Sequence, residues 1–321
     1  MGLLCLLAVL VSLFRAGFEP EQVLFSNDGP LGALVSQAET AHQTFTGVWK
    51  PFNWLGNQEP SALPNLTQAI FLAIGPALFK EQGPVFFAKF YTPAALLILG
   101  LSAWFLFYHL GFNQAVCVLG ALAASLNTDP FSYACWGLAS ITLAMAAIFL
   151  ALGLLVADRT STWIKLVIGG SAIGLTIMEG FDVGAIFSFY VAAFVLFQAQ
   201  TEEGDSSRKL VKGIVQVAVV AVVAAFVAAQ ALSTLIGTQI KGITGTQQDA
   251  QTKAQRWDGA TQWSLPKIET LRVIIPGLFG YRLDTSNGGN YWGSVGQDPA
   301  IPAIQQALAS PKEEVRAQAA A

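Results

Sequence analysis

A carboxylate held in a run of turn-forming residues, Asp28, is the first group in this sequence whose position favours chemistry. It lies in residues 25–30, FSNDGP, directly after the first long apolar segment. Asn and Asp bond to their own backbone, Gly permits a positive φ and Pro fixes φ, so the stretch predicts a rigid turn. Two interpretations stay open: Asp28 caps a helix that begins near Pro30, or it is a fixed reactive carboxylate.

Three further acidic residues stand between apolar segments. Glu179 and Asp182 belong to residues 178–183, MEGFDV, and Asp129 belongs to residues 127–130, NTDP. Charged groups between apolar spans are costly unless they face water or a partner, which makes Glu179 and Asp182 candidate catalytic residues. A tight polar turn is the alternative for residues 178–183 and the favoured interpretation of residues 127–130.

Aromatic and cationic side chains concentrate towards the C-terminal end. Aromatic rings pack on the apolar face of a pyranose, while amides and guanidinium groups bind hydroxyls or phosphate. An aromatic belt at a membrane interface explains the same residues equally well. The candidate substrate-binding residues in this part of the chain are Arg256, Trp257, Trp263, Lys267, Arg272, Arg282, Tyr291 and Trp292.

The composition indicates which elements position these residues. The chain is 54% hydrophobic and 12% charged, the latter about half the share found in a soluble domain, and its mean hydropathy is +0.54. We therefore expect an integral membrane protein. The net charge of -3, without a basic cluster that contains aromatic residues, disfavours nucleic acid as a partner. Three cysteines and two widely separated histidines support neither a disulfide framework nor a zinc site.

Seven apolar segments are predicted to be the transmembrane helices of an all-α polytopic membrane protein. The first, residues 3–18, is shorter than the roughly 20 residues that span a bilayer. A signal peptide is the rival interpretation, but no Lys or Arg precedes the apolar run and no clear small-residue cleavage site follows it. The other six segments are approximately residues 90–110, 113–125, 137–157, 162–178, 183–198 and 211–236.

Two polar parts of the chain are predicted to lie outside these spans. Residues 19–83 form a loop domain in which residues 33–49 can form an amphipathic helix. Within the same loop, residues 66–79 suit an interfacial or re-entrant helix, with a membrane span as the alternative. A transmembrane module over residues 1–236 is thus followed by a polar segment over residues 237–321.

The distribution of basic residues among the loops predicts the orientation. Lys and Arg occur in loops 158–165 and 199–212. Loops 127–136 and 179–182 carry neither, so the positive-inside rule places the first pair of loops in the cytoplasm. Counting back along the helices puts the N-terminus in the cytoplasm and both polar parts of the chain outside it. The acidic residues that then share the extracytoplasmic face are Asp28, Asp129, Glu179 and Asp182.

A seven-helix unit with an Asp in the extracytoplasmic loop directly after its first helix resembles the module of GT-C membrane glycosyltransferases. Four stretches are similar to those of the bacterial YfhO family: residues 25–32, 266–271, 276–280 and 291–293. Members of that family are usually longer, with more transmembrane helices after this region. The resemblance implies that the chain corresponds to the N-terminal module only, as a truncated product or fragment would.

The resemblance also implies an activity, the transfer of a sugar from a polyprenyl-phosphate donor to a glycan or other cell-envelope acceptor outside the bacterial inner (cytoplasmic) membrane. Asp28 matches the first-loop Asp that acts as catalytic base, or that orients the acceptor or binds a metal. Asp129 lies where some relatives place acidic residues in the second loop, which implies a role in substrate binding. The single Asp in place of a paired acidic motif weakens the case for a metal there.

The chemistry of such a transfer can be stated from the residues alone. An inverting transfer needs a carboxylate that takes the proton of the acceptor hydroxyl and a cation that stabilises the departing phosphate. Asp28 is the expected base, while Glu179 and Asp182 orient the acceptor or bind a divalent cation, so the cofactor stays open. The phosphate partners are expected among Arg256, Lys267, Arg272 and Arg282.

A transporter and a non-catalytic scaffold subunit that contacts membrane lipid are the alternatives to an enzyme. A transporter is expected to carry charged residues in the middle of its helices, around a site near the membrane midplane. Here the acidic residues lie at one face and the spans are nearly free of charge. The sequence therefore favours the enzyme.

Overall fold

The chain folds, in a computed structural model, into two compact units, Met1–Thr244 and Gly245–Ala321. Helices make up most of the described part of the first unit. The structure describes residues 2–40, 48–50, 57–59, 66–79, 82–157, 160–234, 236, 257, 265–275, 277–280 and 290–294.

Apolar helices dominate the first unit. Five of the described helices, α4 and α7 to α10, are long and apolar enough to cross a membrane, whereas α1 and α5 are apolar but shorter. The prediction of a multi-pass helical membrane protein is confirmed. In chain order the helices are α1 (Gly2–Phe14), α2 (Leu31–Thr40), α3 (Leu66–Phe79), α4 (Gly83–His109), α5 (Gln114–Ser125), α6 (Thr128–Trp136), α7 (Ala139–Val156), α8 (Thr162–Glu179), α9 (Phe181–Thr201), α10 (Ser206–Val227) and α11 (Ala229–Thr234).

The turn predicted at residues 127–130 is instead the start of a helix, α6. Asn127 precedes the helix, and its Oδ1 atom accepts a hydrogen bond from the backbone N–H of Asp129 at 3.1 Å. Pro130 is compatible with the first turn, where its missing N–H has no helical partner in any case. Asn, Asp and Pro serve turns and helix starts alike, which is why the sequence prediction was wrong here.

The first loop contains two short strands that the sequence did not predict, within a chain that is otherwise helical in its described part. Helix α2 (Leu31–Thr40) covers the first part of the amphipathic helix expected over residues 33–49, and residues 41–47 lie outside the described residues. Two short strands follow in the described part of the loop, β1 (Val48–Lys50) and β2 (Asn57–Glu59). They pair antiparallel, with Val48 opposite Glu59.

α7 joins the two apolar clusters of the first unit. One cluster packs α7 and α4 against the first three helices, through residues such as Leu10, Leu72 and Leu96. The other packs the second half of α7 against α8, α9 and α10, through residues such as Ile148 and Val195. Small buried side chains let these helices approach one another closely. The unit is therefore sensitive to added volume where glycines face a neighbouring helix.

Gly174→Ala should weaken the packing of α8 against α10. A Cβ at this position would lie 2.6 Å from Val227 Cβ and 2.9 Å from the Ala224 carbonyl oxygen. This overpacking should reduce the free energy of unfolding by about 1–3 kcal/mol. The thermal unfolding midpoint in detergent should then fall by roughly 2–10 °C.

Gly169→Ala in the same helix is the matched control. Its Cβ would meet only the end of the Leu155 side chain, at 3.3 Å or more, while the gain in helix propensity is the same as at Gly174. An equal midpoint for the two variants would contradict the close packing at Gly174.

Candidate functional site

Two buried hydroxyl groups fix the short helix α6 to the bundle. Thr92 Oγ1 of α4 donates to the Ala134 carbonyl at 3.0 Å, and Thr142 Oγ1 of α7 donates to the Pro130 carbonyl at 2.9 Å. Both threonines are buried, so the bonds form in apolar surroundings that strengthen them. α6 thus offers a firm support to the first loop.

The turn that carries Asp28 is attached to the C-terminal end of α6. The Asp28 N–H donates to the Trp136 carbonyl at 2.8 Å, and Ser26 Oγ donates to the same carbonyl at 3.1 Å. Ser26 Oγ also accepts a bond from the Gly29 N–H at 3.0 Å. The Asp28 side chain itself is exposed. The backbone of this residue is therefore fixed while its carboxylate stays accessible.

Gly137 makes this attachment possible. It ends α6 with a left-handed φ of 101°, a conformation that favours glycine. A Cβ at this position would lie 2.6 Å from the Gly29 nitrogen and would also collide with Ser26 Oγ. The first loop can approach α6 this closely only because residue 137 has no side chain.

Helix α2 begins directly after the turn, as the sequence predicted. The Pro30 carbonyl accepts hydrogen bonds from the N–H groups of Ala33 and Leu34. Asp28 Oδ1 accepts a bond from Asn27 Nδ2 at 3.3 Å, and none of its described contacts is with the first turn of α2. The backbone of Asp28 is therefore held, and its carboxylate makes no capping hydrogen bond among the described residues.

Glu179 lies in a buried cluster, away from solvent. Its side chain is 3% exposed. Its two oxygens accept bonds from the N–H and Oγ1 of Thr67, each at 2.8 Å. Since the Thr67 hydroxyl donates to Glu179, it is the Tyr91 hydroxyl that donates to Thr67 Oγ1, at 2.6 Å. This chain of bonds links α4, α3 and α8.

A small cavity lies between residues of the Asp28 turn and the Tyr91 side chain, although neither Asp28 nor Glu179 lines it. It has a volume of about 30 Å³ and is lined by Ser26 and Gly29 on one side and by Gln68 and Tyr91 on the other. That volume holds about one or two water molecules. The structure thus brings the neighbours of two predicted site residues to one place.

The other two predicted acids are exposed at helix starts. Asp182 lies in the first turn of α9, where its Oδ1 accepts a bond from the Val183 N–H at 2.9 Å. Asp129 lies in the first turn of α6 and lines a larger cavity of about 380 Å³. Negative charge is favourable at both positions because of the helix dipole.

Glu269 is a buried carboxylate that the sequence did not mark as functional, and it accepts several hydrogen bonds in the described part of the second unit. It is 0% exposed and accepts bonds from the Tyr291 hydroxyl at 2.7 Å and the Ser294 N–H at 2.6 Å. Arg272 Nη1 lies 3.6 Å from the same carboxylate, and its guanidinium lies 5.9 Å from the centre of the Tyr291 ring. Two of the predicted binding residues therefore contact each other.

The remaining predicted residues of the second unit fall into two groups. Lys267 is exposed, and so is Trp292, whose ring packs on Phe279 with centroids 4.8 Å apart. Trp257 is exposed by 70%. The predicted residues Arg256, Trp263 and Arg282 lie outside the described residues.

No metal centre is formed by the described residues. Nowhere among them do three or more His, Cys, Asp or Glu side chains converge on one point. Cys135, on α6, is half-buried, and burial raises the pKa of its thiol. A thiol that stays protonated is a poor nucleophile.

Comparisons of the chain with models of protein families, with curated proteins and with solved structures find no match. Thr67, Tyr91 and Glu269 were missed by sequence reasoning because their contacts are between distant parts of the chain. Thr67, for example, is 112 residues from Glu179, and no local pattern links the two.

Gly137→Ala should release the Asp28 turn from α6. The collision with residues 26 and 29, added to the strain of a left-handed φ, should reduce the local stability of the turn by about 1–2 kcal/mol. The amides of residues 26–29 should then exchange about 5- to 30-fold faster. Hydrogen exchange followed by mass spectrometry measures this. Gly111→Ala is the control, since Gly111 also has a positive φ but no atom within 4 Å of its Cβ position. Faster exchange in both variants, or in neither, would contradict the attachment.

Thr67→Val should destabilise the bundle by about 1–3 kcal/mol, because it leaves a buried carboxylate oxygen and a tyrosine hydroxyl without their partner. Thr67→Ser keeps the hydroxyl and should unfold near the parent temperature in detergent. Tyr91→Phe should add little to Thr67→Val in a double-mutant cycle. Full additivity of the two changes would show that the three groups do not form one chain of bonds.

Proposed function

We propose that the protein is a GT-C-type, YfhO-like membrane glycosyltransferase that moves a sugar from a polyprenyl-phosphate donor to a cell-envelope acceptor. In this proposal the two shorter apolar helices, α1 and α5, complete a seven-helix module in the bacterial inner membrane, and Asp28 faces the extracytoplasmic side. The observation that carries the proposal is the turn at Asp28, an accessible carboxylate on a backbone that three hydrogen bonds fix.

Asp28 acts as the base in this reaction. As the acceptor oxygen bonds to the anomeric carbon, its proton passes to the Asp28 carboxylate while the bond between the anomeric carbon and the donor phosphate breaks. A fixed backbone supports this role because it reduces the freedom that the carboxylate must lose to reach the acceptor. Exposure supports it because the acceptor must come within hydrogen-bond distance.

The other predicted residues take supporting roles in the proposal. Glu179 positions α3 and α8, and Asp182 at the start of α9 orients the acceptor. The departing phosphate needs a cation, and Lys267 and Arg272 are the described residues among those predicted for this role. Arg272 already lies beside Glu269 and Tyr291, which suits a residue that holds its unit together.

A transporter is the second candidate function. The observation that favours it is the burial of Glu179 at the C-terminal end of the membrane-spanning helix α8, since buried acidic residues of membrane proteins often serve ion or proton transport. A transporter would move a solute across a vesicle membrane without forming a new glycosidic bond.

Asp28→Asn should reduce sugar transfer by about 100-fold or more, because it removes the general base. The measurement uses the purified protein in lipid vesicles with a panel of radiolabelled polyprenyl-phosphate sugars. Asp205→Asn is the matched control, because Asp205 caps α10 by accepting from the N–H groups of Ser207 and Arg208, and Asn caps helices equally well. Equal transfer by parent and Asp28→Asn would remove Asp28 from the reaction. Absence of transfer in the parent would favour the transporter or a non-catalytic subunit.

A further inference from the structure

A cavity of the first unit lies between α4, α5, α6, α7 and α9. Its volume of about 380 Å³ falls within the range of about 300–1,000 Å³ that is usual for ligand sites. On α7 its lining extends from Met145 to Leu152, two helical turns or about 10 Å. The cavity is therefore long enough for part of a hydrocarbon chain.

The lining is polar at one end and apolar along the rest. Asn127 and Asp129 stand at the start of α6, whereas Leu99, Ile148 and Leu152 form part of the apolar wall. Among the described residues that line the cavity there is no Lys or Arg, and Asp129 is exposed. The polar end thus presents negative charge and no positive charge.

The cavity opens towards the side of the bundle. Tyr190 of α9 lines it and is 64% exposed. The exposed neighbours of Tyr190 on the same helix include Ile186 at 59% and Phe189 at 75%. Such a surface on a membrane-spanning helix faces the hydrocarbon of the bilayer. A lipid chain can therefore enter from the membrane without crossing water.

We propose that this cavity binds one membrane lipid whose head group carries an ammonium ion, with the ammonium at Asp129 and an acyl chain along α7. The charge-assisted bond from the ammonium to the carboxylate gives the site its preference. An anionic head group would meet a like charge there and is disfavoured. This site does not depend on glycosyl transfer and would be present in a transporter or scaffold as well.

The test is the retention of lipids by the purified protein. The parent protein is equilibrated in mixed micelles with equal amounts of phosphatidylethanolamine and phosphatidylglycerol of identical chains, and the bound lipid is then read by native mass spectrometry. The expected result is one retained lipid, with a preference for phosphatidylethanolamine of about tenfold, the usual effect of one hydrogen bond to a charged group. Retention of neither lipid, or equal retention of both, overturns the proposal.

Two variants separate the head-group site from the chain site. Asp129→Asn should bring the ratio of retained phosphatidylethanolamine to phosphatidylglycerol close to one while a lipid is still retained. Because Asp129 is exposed, the substitution should not impair folding. Ala124→Phe, which fills the cavity from α5, should abolish retention of both lipids. Ala123→Phe is its control, because Ala123 is an exposed neighbour on the same helix, and thermal unfolding confirms that each variant is folded. A preference that survives Asp129→Asn, or equal retention by both phenylalanine variants, overturns the proposal.

Discussion

Polar groups in apolar surroundings need partners within the protein, and this constraint organises the membrane-spanning unit. The carboxylate of Glu179 meets it by accepting two hydrogen bonds from Thr67, whose hydroxyl accepts one from Tyr91. One buried acid thereby sets the relative positions of three helices. The same constraint makes the hydroxyls of Thr92 and Thr142 donate to carbonyls of α6. Because these bonds orient α6, they also position the Asp28 turn, which is bonded to the C-terminal end of α6.

α6 has nine residues, yet both candidate sites of the first unit depend on it. Its first turn carries Asp129 at the polar end of the larger cavity, and its last residue, Trp136, accepts the bonds that hold the Asp28 turn. Seven residues of helix separate the two positions, which is about 10 Å along the axis. A lipid head group at one end and an acceptor at the other can therefore bind at the same time. The two proposals concern separate sites on one support, and neither requires the other.

Features with a local physical signal could be predicted from the sequence, and features made by distant contacts could not. The lengths of the apolar runs predicted a membrane protein, and the FSNDGP stretch predicted both a firm turn and the start of α2 near Pro30. Asn127 and Pro130 were interpreted as a turn, but Asn and Pro occur both in turns and at helix starts. Only the continuation of the helix to Trp136 distinguishes the two cases. The hydrogen-bond partners of Glu179 and Glu269 come from parts of the chain that are distant in sequence, so neither the charge pattern nor the spacing of residues indicated them.

Asp28, Glu179 and Asp182 are equivalent in the sequence as acids next to apolar segments, but their surroundings separate them. A general base must reach the hydroxyl from which it takes a proton. Glu179 is buried with both oxygens bonded to Thr67, so it can reach an acceptor only if α3 moves. Asp182 is exposed and, like Asp28, accepts one local hydrogen bond, from the N–H of Val183 at the start of its own helix. Asp28 combines an exposed carboxylate with a backbone that is held by another element. In the proposed reaction, attachment to α6 rather than burial therefore distinguishes Asp28 from the other two acids.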